Sequence, residues 1–176
     1  APSGVFYQNI VNMGRMYDNY ALVPINFETR TIDLKRSREV QEEMEETLTK
    51  FHPYRVLAAV VFPAINQALQ RYAEGQSETD QIRLACALEQ FKAKHGKLPA
   101  TLAELAPAFL PKLPHDPVNG KPYVYRPENG EYVIYSLGAD NVDDGGKIEW
   151  QEKNPKKRDR TRGDWVWHSA PTKSAE

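Results

Sequence analysis

The 176 residues carry 23 basic and 24 acidic side chains, for a formal net charge of -1, and 40% of the residues are hydrophobic. This size suits one compact domain, or one domain with an elaborated end, built around a single core. The near-neutral charge argues against a nucleic-acid-binding protein, whose affinity would come mostly from neutralising phosphates. The single cysteine excludes an internal disulfide framework. No apolar run reaches the roughly 20 residues that a membrane-spanning helix needs.

The first 53 residues contain two helical patterns. Apolar side chains recur at helical spacing between residues 4 and 20, and Pro24 ends this pattern. A second, narrow apolar stripe lies among acidic residues and closes before Pro53; its members are Val40, Met44 and Leu48. We therefore predict that residues 1–53 form a helical N-terminal extension.

A longer helical pattern runs from Tyr54 to His95. Pro63 is expected to kink or to start this helix, because proline lacks a backbone donor and clashes with the preceding turn. Gly75 is a second weak point, so the segment is one helix or two. Gly96 is well placed to cap the C-terminal end, since glycine readily adopts a left-handed conformation.

Apolar side chains define the expected buried face of this segment. They recur first at Val61, Ile65, Leu69 and Tyr72, and then at Ile82, Leu84, Leu88 and Phe91. Cys86 lies within the second set, so we expect a buried small side chain rather than a reactive thiol.

The second half of the chain changes from helical to β patterns. Thr101 and Glu104 form a capping box at the start of a short helix. Two aromatic and β-branched runs, residues 123–125 and 132–135, are joined through Asn129-Gly130. Asn-Gly between such runs is the strongest local signal for a β-hairpin.

A charged stretch follows the hairpin and leads to Trp165-Val166-Trp167, a predicted last strand. Residues two apart in a strand share a face, so we expect both tryptophans to cover the long helix. Helices first and antiparallel strands last predict an α+β fold, in which a long helix packs on a small sheet. We assign this second domain to residues 54–176.

Four short motifs follow one another between residues 56 and 167. They are Leu57-Ala58-Ala59-Val60-Val61-Phe62-Pro63, His95-Gly96-Lys97-Leu98-Pro99, Leu113-Pro114-x-Asp116-Pro117 and Tyr135-Ser136-Leu137-Gly138-Ala139-Asp140. In this order they resemble the major pseudopilin of type II secretion. The resemblance implies a long helix packed on an antiparallel sheet, self-assembly or protein partners in the periplasm or cell envelope, and no catalytic residues.

Residues 1–53 have no counterpart in that family, and the family's membrane-spanning apolar stretch and cleavage motif are not present among the 176 residues. Any membrane association would therefore come from segments outside this chain. These differences leave open a second interpretation, in which a soluble ligand- or protein-binding domain reuses the fold without forming filaments.

The Gly/Asp-rich loop between residues 138 and 146 is the candidate metal site. Asp140, Asp143 and Asp144 lie within five residues, and like charges at this spacing repel by about 1 kcal/mol per pair even in water. Calcium would reverse that repulsion, because it prefers six to eight oxygen ligands. The resemblance adds a Leu137 carbonyl and Asp164 to the expected ligands. The spacing does not fit an EF-hand, and a solvated turn without metal is the alternative.

Two other groups of residues do not predict a functional site. Ser136, His115 and Asp116 could in principle supply a nucleophilic triad, but Ser136 lacks the Gly-x-Ser-x-Gly elbow, so we predict no enzyme. A basic cluster lies between residues 153 and 162, where interspersed acids favour a mobile, solvated loop over a phosphate or anionic-lipid site.

Overall fold

The computed structural model describes residues 2–48 and 56–169. Within these ranges the helices are α1 (Pro2–Met16), α2 (Leu34–Leu48) and α3 (Val56–His95), with a π-helical turn at Tyr17–Ala21 and a 3-10 turn at Leu102–Leu105. The strands are β1 (Ile25–Asn26), β2 (Thr31–Ile32), β3 (Val124–Glu128), β4 (Glu131–Ser136), β5 (Trp150–Gln151), β6 (Asn154–Arg158) and β7 (Trp165–His168). The α+β class is confirmed. The chain divides into two compact units, Ala1–Ala73 and Glu74–Glu176, which are described separately below.

The N-terminal unit has a small core of its own. Met16, Ala21 and Met44 are buried together, and Tyr20 and Ile65 pack against them. Val40 is buried on α2 one turn before Met44, as the predicted stripe requires. The Leu48 side chain and the predicted domain boundary after residue 53 lie outside the described residues.

Most of the large apolar side chains of helix α1 are exposed, although Met16 at its end is buried. Phe6 is 58% exposed and Tyr7 is 68% exposed, whereas the polar Asn9 is only 5% exposed. The Asn9 amide donates to the Val5 carbonyl at 2.9 Å, which helps to accommodate the buried polar group. Large exposed apolar patches on a protein surface mark interaction sites far more often than isolated apolar residues do.

Helix α3 is one helix throughout its described length. Pro63 lies inside it, so this proline does not start the helix, and the helix continues through Gly75. The two-helix alternative is therefore wrong. Gly96 ends the helix with φ +72°, and its N–H donates to the Lys92 carbonyl at 2.8 Å, which confirms the predicted cap.

The buried face of α3 is narrower than the apolar pattern predicts. Leu84, Leu88 and Phe91 are buried as predicted. Three residues of the predicted buried face are instead exposed: Val61, Tyr72 and Ile82. The prediction for Cys86 is wrong, because its side chain is exposed. Residue 86 lies two positions from both leucines, which is about 200° around a helix and therefore on its opposite side.

Three antiparallel strands form the main sheet of the C-terminal unit, in the order β3-β4-β7. Glu128 pairs with Glu131 across the turn, where Asn129 and Gly130 have φ +51° and +81°. Positive φ at both turn residues is the geometry that Asn-Gly hairpins favour. The hairpin and the last strand are therefore confirmed.

One hydrophobic core joins this sheet to the second half of α3. It contains side chains from the helix, from the segment after it and from the sheet: Leu84, Ala85, Ala87, Leu88, Phe91, Leu102, Leu105, Leu110, Tyr123, Tyr132 and Ile134. Trp167 packs against this cluster, and the Trp165 carbonyl accepts a 2.7 Å hydrogen bond from Gln81 of α3. The Trp167 side chain thus packs on the core that includes the helix, as expected, whereas Trp165 contacts the helix through its backbone carbonyl.

The charged stretch after residue 147 is ordered, which corrects the prediction of a mobile loop. β5 and β6 pair as an antiparallel hairpin. The Arg158 guanidinium donates to the Asp164 carbonyl at 2.7 Å, and the Asp159 N–H donates to the Glu149 carbonyl at 2.8 Å. The first bond attaches the hairpin to the start of β7 and the second extends the pairing of its two arms, an outcome that its charge pattern does not reveal.

Candidate metal centre

The candidate site is formed where β4 ends and β7 begins. Ser136, the last residue of β4, pairs with Trp165, the first residue of β7. Antiparallel pairing therefore places the residue after Ser136 beside the residue before Trp165, namely Leu137 beside Asp164. We call residues 137–146 together with Asp164 the acidic corner.

Glycines allow the backbone segments of the acidic corner to approach closely. Gly138 has φ +66°, and a Cβ at this position would overlap the Gly163 carbonyl oxygen. Gly163 has φ +78°, and its Cβ would lie 2.8 Å from the Glu149 amide nitrogen. Only glycine adopts these conformations and contacts without strain.

Asp164 is the most buried carboxylate of the corner, with 0% of its surface exposed. One oxygen, Oδ2, accepts a 2.6 Å hydrogen bond from the Gly146 N–H. The other oxygen, Oδ1, is buried and has no hydrogen-bond partner among the described residues. Burial raises the pKa of Asp164, and the charges of Asp143 and Asp144 add to this rise, while the Gly146 hydrogen bond and the nearby Asp144 amide oppose it.

The aspartates in the loop make different contacts. Asp140 Oδ1 accepts from the Val142 N–H at 3.2 Å, and its Oδ2 accepts from the Gly163 N–H at 3.3 Å. Asp140 is thus held next to the residue that precedes Asp164. Asp144 is exposed.

Asp143 faces a separate set of partners. Its Oδ1 accepts hydrogen bonds from the Tyr135 hydroxyl at 3.0 Å and from the Gly145 N–H at 2.9 Å. The guanidinium of Arg126 lies 4.0 Å from the same oxygen. The described residues contain no group of three His, Cys, Asp or Glu side chains already arranged to hold a metal. The structure therefore brings Asp140 toward Asp164 and turns Asp143 toward Tyr135.

A second buried carboxylate, Asp116, supports the start of the corner. It accepts a 2.9 Å hydrogen bond from the Val118 N–H, and further hydrogen bonds from the Ser136 hydroxyl and the Leu137 amide. Burial raises the pKa of Asp116 despite these donors. The Ser136 oxygen also accepts from the Gly138 N–H at 3.1 Å, so this network fixes the backbone on both sides of Leu137.

Sequence reasoning considered Asp116 only as a triad candidate and missed this supporting role. Asp116 and Ser136 do meet, and both are buried, whereas His115 is exposed and its backbone bridges to Pro122. The signal that could have identified Asp116 is its position between Pro114 and Pro117, where an Asp side chain often bonds nearby backbone amides.

No family model, curated protein or solved structure matches this chain. The similarity to pseudopilins therefore rests on the sequence motifs. Among the described residues, no helix combines the length and apolar character needed to cross a membrane.

Proposed function

We propose that this chain is a non-enzymatic, pseudopilin-like structural module of a cell-envelope assembly, linked to protein secretion and stabilised by calcium at the acidic corner. The observation that carries the calcium part is the unpartnered Oδ1 of the fully buried Asp164. A buried acceptor without a partner destabilises a fold by about 1–3 kcal/mol, and more when it is charged. A cation bound to this oxygen would remove that destabilisation.

Calcium fits the chemistry of the corner better than a softer metal does. The candidate ligands are all oxygens, from Asp140, Asp143, Asp144 and Asp164 and from the Leu137 carbonyl, and calcium takes six to eight oxygen ligands. Loops of extracellular modules bind calcium with Kd values of about 10⁻⁴–10⁻³ M. Such affinity is useful where calcium is abundant, which supports a periplasmic or other extracytoplasmic location.

Thermal unfolding in EGTA and in added calcium tests this part of the proposal. At about 10 mM calcium, a Kd in this range stabilises the folded state by about 1.4–2.7 kcal/mol. For a unit of this size, we expect the midpoint to rise by about 5–15 °C. Asp159→Asn is the matched control, because it removes one charge from the same unit outside the ligand set and should retain the shift. An unchanged midpoint in the wild type would refute calcium binding.

The assembly part is supported by the exposed face of α1. Six large apolar side chains on and just after this helix are at least 38% exposed: Val5, Phe6, Tyr7, Ile10, Val11 and Tyr17. Aromatic side chains bury about 150–250 Å² each, so this face can bury roughly 500 Å² per copy. Two copies would bury on the order of 1,000 Å², which is the lower limit for a specific interface. A second copy of this chain is therefore the partner that we propose for α1.

Sedimentation velocity over a concentration series to roughly 100 µM tests self-association, because a dimer with a Kd of up to about 10 µM is the main species at that concentration. We expect a dimer in the wild type and a monomer after Phe6→Ser combined with Tyr7→Ser. Phe27→Ser, which removes another exposed aromatic side chain of the same unit, is the control. A wild-type protein that remains monomeric throughout would refute self-assembly through α1.

That monomeric outcome would favour the alternative function, a soluble ligand- or protein-binding domain that does not form filaments. The observation behind the alternative is the same apolar face, which a different protein could cover. The calcium and assembly tests concern separate units and can fail independently.

A further inference from the structure

The hairpin β5–β6 and its flanks concentrate positive charge in an otherwise slightly acidic chain. Residues 147–162 contain seven basic and three acidic side chains, whereas the whole chain has a net charge of -1. The hairpin is ordered, so these charges occupy fixed positions in the C-terminal unit. It contributes no ligand to the acidic corner proposed above.

The arginines of this segment are used within the fold. Arg158 is half-buried and donates to the Asp164 carbonyl at 2.7 Å. Arg160 pairs with Glu74 of α3 at 3.3 Å, and Arg162 pairs with Asp159 at 3.6 Å. The contacts of Arg158 and Arg160 attach the C-terminal end of the segment to the rest of the unit.

The lysines, in contrast, are directed to solvent. Trp150 pairs with Arg158 and Gln151 pairs with Asn154, so one step along β5 corresponds to four steps along β6. The three residues between Asn154 and Arg158 therefore bulge out of the ladder. Two of them are Lys156 and Lys157, which are exposed, as is Lys153 in the turn. Their side chains make no ion pair within the described part of the chain.

An exposed tryptophan accompanies these lysines. The Trp150 side chain lies at the base of the bulge and is 50% exposed. Tryptophan is enriched at the headgroup level of membranes, where its indole ring contacts both apolar and polar groups. Lysine adds attraction to anionic lipids through its point charge. The three lysines with Trp150 form what we call the basic tip.

We propose that the basic tip docks on an anionic lipid bilayer surface, which differs from the sequence-based expectation that membrane association comes only from segments outside this chain. Nucleic acid is a poorer fit, because its phosphates are typically held by planar arginine side chains, and all three arginines of the segment are already paired. The three lysine charges of the tip are partly offset by the exposed Glu152 of the same turn, and the net charge is too small to follow a phosphate backbone. The docking needs no cation at the acidic corner and no second copy of the chain.

Flotation with vesicles measures this interaction directly. We expect binding to vesicles of phosphatidylglycerol and phosphatidylcholine at about 3:7, and at least tenfold weaker binding to phosphatidylcholine alone. Each lysine near an anionic surface changes binding about fivefold, so Lys153→Gln, Lys156→Gln and Lys157→Gln together should lower partitioning by on the order of 100-fold. Trp150→Ser should lower partitioning to both kinds of vesicle.

The matched control replaces three exposed lysines elsewhere in the same unit, Lys97, Lys112 and Lys121, by glutamine. It changes the net charge equally and should leave partitioning within about twofold of the wild type. Three outcomes would overturn the proposal: no binding to anionic vesicles, an equal loss in the control variant, or tighter binding to a DNA duplex of equal phosphate concentration. All assays use the full chain in EGTA, which keeps them independent of calcium.

Discussion

Replacement of Asp164 by asparagine should affect the calcium-free and the calcium-bound acidic corner in opposite directions. In the protein without calcium, the Asp164 carboxylate is fully buried, and its Oδ1 has no partner among the described residues. The negative charges of Asp143 and Asp144 act on it as well. Asparagine keeps an acceptor for the Gly146 N–H and removes the buried charge. We therefore expect Asp164→Asn to stabilise the calcium-free protein and to abolish the response to calcium.

The magnitude follows from the burial of the charge. An unpaired buried acceptor destabilises by about 1–3 kcal/mol, and more when it is charged, so the neutral amide of the variant avoids part of this cost. We expect the variant to be about 1 kcal/mol more stable than the wild type at pH 7 in EGTA, with a midpoint about 4 °C higher. In about 10 mM calcium the order reverses, because only the wild type gains the 1.4–2.7 kcal/mol of binding.

The pH dependence has a defined sign. Because the folded-state pKa of Asp164 is raised above its usual 3.8, the native state binds this proton more tightly than the unfolded chain does. The contribution of Asp164 to stability is therefore greatest below pH 3.8 and falls as the pH rises through the folded-state pKa. Protonation of Asp164 at low pH removes the buried charge from the wild type, so the advantage of the variant in EGTA should shrink between pH 7 and pH 4. Asp116 is present in both proteins and cancels from the comparison.

Chemical denaturation in EGTA, with Asp159→Asn alongside, measures these differences. The reasoning is refuted if Asp164→Asn is clearly less stable than the wild type at pH 7 in EGTA, which would mean that the ionised carboxylate already stabilises the fold. A variant that keeps the full calcium shift would remove Asp164 from the ligand set.

Three further predictions concern two glycines and the carboxylate that supports the corner. Gly138→Ala should destabilise the fold by about 3 kcal/mol in denaturant unfolding, because its Cβ overlaps the Gly163 carbonyl at positive φ. Gly75→Ala should instead stabilise α3 by about 0.5–1 kcal/mol, because a Cβ at this position would have no atom within 4 Å. Asp116→Asn should cost about 2 kcal/mol, because it replaces an acceptor oxygen by a donor that faces other donors, and an unchanged unfolding midpoint would contradict the supporting role of Asp116.

Local signals were the most reliable part of the sequence prediction. The Asn129-Gly130 turn and the Gly96 cap depend on conformations of single residues that few other residue types adopt. The Thr101 capping box is present as well, since Glu104 Oε1 accepts from the Ala100 and Thr101 N–H groups at 2.8 and 3.0 Å. Each of these features is decided within about four residues.

Features that depend on distant contacts were predicted less well. Cys86 was assigned to the wrong face, because the pattern of α3 is apolar on more sides than the sheet covers. The hairpin at β5–β6 was missed, because its charged residues have low β propensity and its order comes from Arg158 and Asp164, which lie on neighbouring segments.

The acidic corner combines a feature that could be predicted with one that depends on distant contacts. Its position could be predicted, because a loop after β4 must lie beside the start of β7 once Ser136 pairs with Trp165. The difference in burial among its carboxylates could not be predicted, because the burial of Asp164 depends on the close backbone approach at Gly138 and Gly163. Composition alone makes all the aspartates look equivalent.

Arg126 is the group that should oppose a cation at this corner. Its guanidinium lies 4.0 Å from the Asp143 carboxylate and 5.3 Å from the centre of the Tyr135 ring, and it donates to the Gly145 carbonyl at 3.3 Å. Arg126→Gln removes this positive charge, which we expect to weaken the calcium-free corner slightly and to tighten calcium binding about fivefold, or about 1 kcal/mol. Isothermal titration with calcium measures the change, with Arg83→Gln as the charge-matched control in the same unit. Weaker calcium binding in Arg126→Gln would mean that the ion does not bind close to Asp143. The ligand set would then contain only the oxygens next to Gly163, which belong to Asp140 and Asp164.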